Sequence, residues 1–250
     1  MPTDRSDRNG DRVTTGASIL VIPEDAMVIV PVRNVVLFPG MILPLTIGRE
    51  QPILAAQQAV KTERPVGILL QRDAGVEVPG PDDLCLVGTV ANILRYVTLP
   101  DNTHVIVCQG LQRFRVAEYL SGYPFPVARI GRIDEPEATD SEVEARTIQL
   151  RERALEVLQF LPQVSQELLG AVKSLVQPGP LTDLVASVAE IKIAERQQVL
   201  ETIDLRRRLD LVLGCLQRRL EVLRLSREID ERAKASIDQH QREYLLREQL

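Results

Sequence analysis

The side chains of this 250-residue chain that could carry out chemistry are its histidines, its cysteines and its clusters of charged residues. His104 and His240 lie far apart in sequence, and neither belongs to an H-E-x-x-H metal motif. The sequence contains no G-x-S-x-G nucleophile turn and no G-x-x-x-x-G-K-S/T phosphate loop. We therefore predict no catalytic residue, no cofactor-binding residue and no metal ligand in this chain.

The cysteines indicate a reducing compartment. Cys85, Cys108 and Cys215 are widely spaced, odd in number and placed in apolar stretches. This pattern favours buried, reduced thiols over a disulfide framework or a zinc site. No apolar run reaches the roughly 18 residues of a membrane span, and residues 1–18 lack the apolar segment of a secretory signal. We predict a cytoplasmic protein with no membrane association and a disordered tail over residues 1–18.

Two charged clusters could bind a ligand, but simpler explanations are available for both. Six carboxylates between Asp134 and Glu144 lie at the start of a predicted helix, where they meet the positive end of its dipole. Arg206-Arg207-Arg208 and Arg218-Arg219 are interleaved with acidic residues and leucines, which predicts a solvated, salt-bridged helix face. The net charge of -5 and the absence of an aromatic platform also argue against a nucleic-acid partner.

Binding of apolar protein segments is the activity that the remaining residues favour. Aromatic residues make up only 3% of the chain, so large side chains at predicted turns and strand ends stand out. We predict that they form an exposed patch that captures unfolded polypeptide, although each could instead fill the core, Phe38 above all. These candidate substrate-binding residues are Phe38, Met41, Tyr96, Tyr119, Tyr123 and Phe125.

The elements that would position these residues begin with β structure. Two apolar runs, Val35–Phe38 and Met41–Ile47, flank the turn signal Pro39-Gly40, which predicts a strand, a turn and a strand. Pro44 cannot donate to a ladder, so its strand should lie at a sheet edge or carry a bulge. Pro52 suits the first turn of a helix. The other predicted strands are Ser18–Pro23, Met27–Val32, Val66–Leu70, Leu84–Leu99, Val105–Cys108, Arg113–Leu120 and Phe125–Ile133.

Helical periodicity replaces β character after residue 134. Thr139 and Glu142 have the spacing of a capping box for a helix over residues 140–160, which Pro162 should stop. A second helix should end at Pro178-Gly179-Pro180, Thr182 should cap a third, and residues 195–202 should form a fourth. From residue 204 to residue 250 the chain predicts one helix of roughly 70 Å at 1.5 Å per residue.

Several strings in this sequence resemble the amino-terminal region of the bacterial ATP-dependent Lon proteases. The opening signature spans residues 31–49 and keeps several positions in register over nineteen residues. The resemblance covers nearly everything after residue 25. The strings that carry it are Pro31-Val32-Arg33, Leu37-Phe38-Pro39-Gly40-Met41, Pro44-Leu45, Ile47-Gly48-Arg49, Gly88-Thr89-Val90-Ala91, Gly110-Leu111 and residues 241–250.

The resemblance implies an α+β fold. Its parts would be a mostly antiparallel, barrel-like, PUA-like β domain with one inserted helix over residues 19–134, a helical bundle over 138–225 and a long helix over 204–250. It also implies a region that selects unfolded or degron-bearing proteins and supports a hexamer. The serine and lysine of proteolysis, and the site for ATP and Mg²⁺, would lie in modules after Leu250, so this chain itself should be no enzyme.

Two other hypotheses stay open at this point. A free-standing adaptor or receptor could carry a Lon-type β domain without any protease; the gene would then end where the chain does, rather than continue into a phosphate loop. A scaffold could instead act only through self-association of the last helix. Its oligomers would depend on concentration and would disappear when residues 226–250 are removed.

Overall fold

The computed structural model describes residues 20–101, 103–135, 140–160 and 164–248, with side chains described as far as residue 234. Strands dominate the first part of the chain, and helices make up the second. The strands are β1 (Ala26–Val32), β2 (Ile42–Ile47), β3 (Val66–Leu70), β4 (Val87–Thr98), β5 (His104–Leu120) and β6 (Val127–Arg132). The helices are α1 (Glu50–Thr62), α2 (Ser141–Phe160), α3 (Gln166–Ser174), α4 (Pro178–Val188), α5 (Ile193–Glu201) and α6 (Leu205–Glu248).

The six strands form one sheet that curls back on itself. Their order is β2-β5-β4-β3-β1-β6, and β5 also pairs with β6. The ring of pairings therefore closes through five strands and leaves β2 outside, so the sheet is barrel-like without being a strict barrel. All neighbours are antiparallel except β1 and β3, which are parallel and are separated in sequence by β2 and α1. The predicted α+β fold with one inserted helix is confirmed.

The predicted strand over Val35–Phe38 is wrong, because this segment joins no ladder. One of its carbonyls and the turn that follows it are bonded to residues that are distant in sequence. The carbonyl of Leu37 accepts a hydrogen bond from the Thr89 hydroxyl at 2.5 Å, and Gly40 donates its N–H to the Gly110 carbonyl at 2.9 Å. The apolar run that resembles a strand is instead a buried irregular segment ending in the predicted Pro39-Gly40 turn.

Two other strand predictions also need correction. Residues 20–23 form no strand, because the carbonyl of Leu20 accepts its hydrogen bond from the Gln58 side chain of α1 at 2.7 Å. The separate strands predicted at Val105–Cys108 and Arg113–Leu120 are one continuous strand, the 17-residue β5. Gly110 lies inside this strand rather than breaking it.

Pro44 lies on the outer edge of the sheet, as predicted. β2 pairs with β5 alone, and the Met41 carbonyl accepts from the Gly110 N–H at the start of this pairing. Alternate residues of an antiparallel strand point their backbone groups to opposite sides, so those of Leu43 and Leu45 face β5. Pro44 faces the open side, where its missing N–H costs no ladder bond and hinders pairing with another strand.

We expect Pro44→Val to increase self-association of the protein. The substitution restores an N–H on the open edge and creates an uninterrupted row of donors between Ile42 and Thr46. Sedimentation velocity at matched concentrations should show a larger oligomer fraction than in the wild type. Thr46→Val is the matched control, since it adds a valine on the same exposed edge without adding a donor. Equal behaviour of the two variants would contradict this role of Pro44.

The helical half begins at Asp140, whose carboxylate accepts the N–H groups of Glu142 and Val143 at 3.1 and 2.9 Å. Asp140 thus caps α2, while Thr139 of the predicted capping box and the predicted stop at Pro162 lie outside the described residues. Carboxylate capping satisfies N–H groups that have no partner within the helix. The predicted helix over residues 140–160 is confirmed as α2.

The Pro178-Gly179-Pro180 segment opens a helix rather than ending one. α3 stops at Ser174, and α4 starts at Pro178 itself. A proline in the first helical turn loses no hydrogen bond there and already has a helical φ angle. Thr182, predicted as a cap, lies inside α4 and donates its hydroxyl to the Pro178 carbonyl at 2.7 Å.

α6 is the longest element, with 44 residues and a length of about 66 Å at 1.5 Å per residue. Its N-terminus is capped by Asp204, whose carboxylate accepts the Arg207 N–H at 2.9 Å. Residues 221–234 are exposed apart from the partly buried Leu223. The inner apolar stripe is buried, and its members are Leu205, Leu209, Val212, Leu216 and Leu220.

The largest cluster of buried apolar side chains joins the sheet to the helices. Phe38, Leu70 and Val87 come from the β half, whereas Leu150 and Val185 come from α2 and α4. The two halves therefore share a core across their contact surface. The division into a β domain over residues 19–134 and a helical bundle over residues 138–225 stays a prediction.

Candidate functional site

The segment Pro39-Gly40-Met41 is held against β5 at Gly110. Gly40 donates its N–H to the Gly110 carbonyl at 2.9 Å, and Gly110 donates its own N–H to the Met41 carbonyl at 2.8 Å. A Cβ atom at Gly110 would lie 2.3 Å from the carbonyl oxygen of Phe38. Glycine is therefore required at this position, because any side chain would push the segment away from β5.

Strings that are far apart in sequence meet at this point. Thr89 binds the carbonyl of Leu37 from β4, and Phe38 is fully buried in the core shared with the helices. Met41 is only partly buried, and the Ser187 hydroxyl lies 3.8 Å from its sulfur. The segment is thus anchored on both sides, and it presents Met41 toward the helical half.

A surface cleft of about 560 Å³ lies between this segment and the helical half. One wall is formed by Pro39, Met41 and Leu111, and the opposite wall by Leu175 and Pro180. Leu111 keeps 42% of its surface exposed. Apolar side chains that line an open cleft can take up apolar side chains of another polypeptide, because burial removes both from water. We call this feature the Met41 cleft.

Charged side chains form the floor of the Met41 cleft. The guanidinium of Arg113 donates to both carboxylate oxygens of Asp183, at 2.8 and 2.7 Å, and to the Leu200 carbonyl at 2.9 Å. Glu135 binds Arg113 as well and accepts from Arg208 at 3.1 and 2.6 Å. We call Arg113, Glu135, Asp183 and Arg208 the ion-pair network; it links β5 to α4, α5 and α6.

Burial and ion pairing act in opposite directions on the carboxylates of this network. Burial raises the pKa of Asp183, although the charges of Arg113 and Arg208 oppose this change. Burial also pushes the pKa of Glu135 upward, but hydrogen bonds and charges from Arg208 and Arg113 outweigh it and leave this pKa below its ordinary value. The charges of the two arginines and the two carboxylates cancel, so the network has no net charge and its role is structural.

The family described as "ATP-dependent protease La (LON) substrate-binding domain" matches residues 26–218. This range includes every residue that lines the Met41 cleft. The chain belongs to this family.

Relatives of the chain are Lon proteases. It is 50% identical to the Lon protease of Methylocella silvestris over 227 residues, which are 91% of the chain and 28% of that protein. It is 48% identical to the Lon protease of Phenylobacterium zucineum over 243 residues, which are 97% of the chain and 30% of that protein. The chain therefore spans less than a third of the length of these Lon relatives, and neither a protease nor an ATPase domain lies within it.

The fold is shared with solved structures of Lon amino-terminal domains. The N-terminal domain of the Mycobacterium avium complex Lon protease superposes with a TM-score of 0.66 at 22% identity, covering 77% of this chain and 98% of that one. The Lon N-terminal domain protein from Xanthomonas campestris gives a TM-score of 0.53 at 18% identity. At these identities the likeness establishes the fold alone.

Of the six side chains predicted to contact substrate, the structure places Met41 in the cleft of this Lon domain. Phe38 and Phe125 are buried in the core, with 0% and 4% of their surface exposed, so they offer almost no contact area. Tyr123 stacks on Phe125 with ring centroids 6.5 Å apart. The six residues are therefore not gathered into a single exposed patch.

The other two candidate tyrosines, Tyr96 and Tyr119, lie elsewhere in the fold. The hydroxyl of Tyr96 lies 2.8 Å from Nδ1 of His104, the first residue of β5. Tyr119 is partly buried, and burial raises the pKa of its phenol to about 12. Neither tyrosine lines the Met41 cleft.

The charged clusters are only partly the solvated groups that the sequence predicts. Arg206 is exposed and pairs with Asp140, but Arg208 is 1% exposed and belongs to the ion-pair network. Glu135 likewise binds Arg113 and Arg208 rather than the dipole of α2. Sequence reasoning did not select Arg113, because β5 also carries the exposed Arg115 and Glu118, and no sequence signal separates the buried arginine from these charges.

A second cleft, of about 720 Å³, lies between α5 and α6. It is larger than the Met41 cleft, but charged side chains dominate its lining and pair with their neighbours. Arg218 binds Glu195 at 2.7 Å, and Arg146 binds Asp210 at 2.6 Å. We favour the Met41 cleft because its apolar walls are available to a ligand and because Lon signature residues build it.

The three cysteines are free and buried, as predicted, and no group of three or more histidine, cysteine, aspartate or glutamate side chains among the described residues is arranged to hold a metal ion. Within the same part of the chain, none of the helices combines the length and the apolar character needed to cross a bilayer.

Proposed function

We propose that this chain is the substrate-recognition region of an ATP-dependent Lon protease and that the Met41 cleft captures unfolded or degron-bearing polypeptides. One observation carries the proposal. The separate strings typical of the family, around Phe38, Thr89 and Gly110, converge to build one wall of an apolar cleft that is open at the surface. This wall depends on the buried Phe38 side chain, on the hydrogen bond from the Thr89 hydroxyl and on a glycine at position 110, so it is a fixed part of the fold.

The cleft suits weak binding of many different sequences. Burying one apolar side chain of a client contributes about 1.5–3 kcal/mol, which is too little for tight binding at a single site. A hexamer of Lon subunits would present several such clefts, and simultaneous contacts raise the effective concentration of the client. Capture would then depend on exposed apolar residues rather than on one fixed shape.

In this proposal, ATP hydrolysis and peptide-bond cleavage take place in other parts of a cytoplasmic Lon protein. ATP, Mg²⁺ and the serine nucleophile need a phosphate loop and a protease module, and the residues of this chain do not fit either. We expect the purified chain to bind unfolded protein without ATPase or peptidase activity. ATP-dependent proteolysis by this chain alone would refute the proposal.

We expect Leu111→Asp to weaken binding of a permanently unfolded, reduced and alkylated protein by about tenfold, which corresponds to about 1.4 kcal/mol. The substitution places a charge on the exposed rim of the cleft, where an apolar client side chain would lose its burial. Fluorescence anisotropy of the labelled client measures the affinity, and display of the chain on a tetrameric carrier supplies avidity.

Leu94→Asp is the matched control for this experiment. Leu94 is 53% exposed, lies in an irregular part of β4 and is absent from the lining of the cleft. We expect its variant to bind within twofold of the wild type. An equal loss in both variants, or no client binding even on the tetrameric carrier, would contradict capture at the Met41 cleft.

A further inference from the structure

The Met41 cleft carries a charge bias as well as apolar walls. Three carboxylates line it, those of Asp134, Glu135 and Asp183, against one cation, Arg113. Glu135 and Asp183 are neutralised inside the ion-pair network. Asp134 is different, because it lies outside that network on the exposed side of the cleft.

Asp134 has no cationic partner among the described residues. Its carboxylate accepts one hydrogen bond, from the Gln112 amide at 2.7 Å. Arg132 donates to the oxygen of the same amide at 3.4 Å, so the Gln112 side chain stands between that cation and Asp134. An amide donor satisfies one lone pair but leaves the negative charge of Asp134 uncompensated.

We infer that the Met41 cleft prefers client segments in which an apolar residue lies beside a lysine or arginine. This inference rests on the proposed function, since it specifies the class of polypeptide that the same cleft takes. The apolar side chain enters between Met41 and Leu175, and the neighbouring cation pairs with Asp134. Segments that carry aspartate or glutamate at the same place meet a like charge and bind more weakly.

The apolar walls strengthen this discrimination. A client that covers the cleft removes water from around Asp134, and the attraction between opposite charges grows as the surroundings become less polar. The same covering makes a like charge more costly. The cleft therefore selects by charge only for segments that also bury an apolar side chain, whereas a soluble polar cation gains little.

Three peptides of equal length with one apolar centre test this inference. They differ only in flanking residues, which are lysine, glutamine or glutamate. We expect the wild type to bind the lysine peptide about three- to fivefold more tightly than the glutamine peptide, the size of one exposed ion pair, and the glutamate peptide more weakly by a similar factor. Raising the salt concentration from 50 to 500 mM should shrink these ratios.

Asp134→Asn separates the local contact from the overall charge of the protein. We expect this variant to bind all three peptides within twofold of one another. Asp230→Asn is the matched control, because Asp230 is exposed on α6, makes no described ion pair and does not line the cleft. Its variant should keep the wild-type preference although its net charge changes equally.

The outcomes distinguish client capture by the cleft from its preference for positively charged clients. Suppose that the peptides bind and that Leu111→Asp weakens their binding, but the charge of the flanking residues has no effect. The proposed function then stands, and this inference is overturned. A preference that persists in Asp134→Asn, or that disappears equally in Asp230→Asn, assigns the bias to the whole protein and overturns the inference. If no peptide binds at all, the proposed function and this inference both fail.

Discussion

Arg113→Ala is expected to lower the free energy of unfolding by about 3–5 kcal/mol, the cost of leaving a buried charge without its partner. Arg113 has no exposed side-chain surface, and Asp183 keeps only 3%. Removing the guanidinium leaves the buried Asp183 carboxylate without a close cation. The only other described cation near it, Arg208, lies 3.9 Å away. Chemical denaturation followed by circular dichroism measures the loss.

Arg129→Ala is the matched control on the same sheet. Arg129 forms two ion pairs, with Asp25 and Glu118 at 2.7 Å each, but its side chain is exposed. Exposed pairs are screened by water and contribute about 0–1 kcal/mol. The prediction fails if the two alanine variants lose the same stability. A double replacement, Arg113→Met with Asp183→Leu, should recover part of the loss, because no charge is then left unpaired in that contact.

The ion-pair network also determines the shape of the proposed binding surface. Arg113 comes from β5 and Asp183 from α4, and both line the Met41 cleft. The wall with Met41 belongs to the β half, whereas the wall with Leu175 belongs to the helical half. The distance between the walls therefore depends on the contact that the network holds. Variants that weaken the network should loosen the cleft as well as the fold.

Local pattern was enough to predict the elements whose residues carry their own signals. β3 has the predicted limits of Val66–Leu70, and α1 includes the predicted helical proline, Pro52, in its first turn. The edge position of β2 followed from Pro44, because a residue without an N–H is excluded from a central strand. In each case the deciding interaction is with the backbone of the same element or its immediate neighbour.

The strand prediction for Val35–Phe38 and the solvated-face prediction for Arg208 failed for the same physical reason, which is that distant partners overrode a local pattern. Val35–Phe38 has the composition of a strand, but the Leu37 carbonyl accepts from Thr89, and Gly40 in the turn that follows donates to Gly110. Arg208 lies in a run of arginines that predicts a solvated face, yet its guanidinium is buried and donates to the Glu135 carboxylate. Such pairings join residues more than fifty positions apart, and no window of sequence contains both members.

The same limit applies to the candidate site. Met41 was predicted as a contact residue from its size and its place after a turn, and it lines the cleft. Leu111 and Leu175 were not selected, because a leucine in an aliphatic protein gives no sign of its exposure. Asp134 was counted with its acidic neighbours, and the fold alone separates it from Glu135.

Gly110→Ala is expected to damage both stability and client binding. The added Cβ would meet the Phe38 carbonyl oxygen at 2.3 Å and Cγ2 of Thr89 at 3.2 Å. The first of these atoms belongs to the backbone and cannot swing aside, so the segment that carries Met41 must move away from β5. Overpacking of this kind costs about 1–3 kcal/mol or more. Denaturation measures the stability loss, and anisotropy of a labelled unfolded client measures binding.

Gly48→Ala supplies the comparison, because a Cβ at Gly48 meets nothing within 4 Å and its backbone needs no positive φ. Its stability and client affinity should stay near those of the wild type. A Gly110→Ala protein that remains folded at the assay temperature yet binds client much more weakly would show that the position of the 38–41 segment matters beyond its part in the core. If such a folded variant binds as well as Gly48→Ala, the wall built by this segment is not where clients are captured.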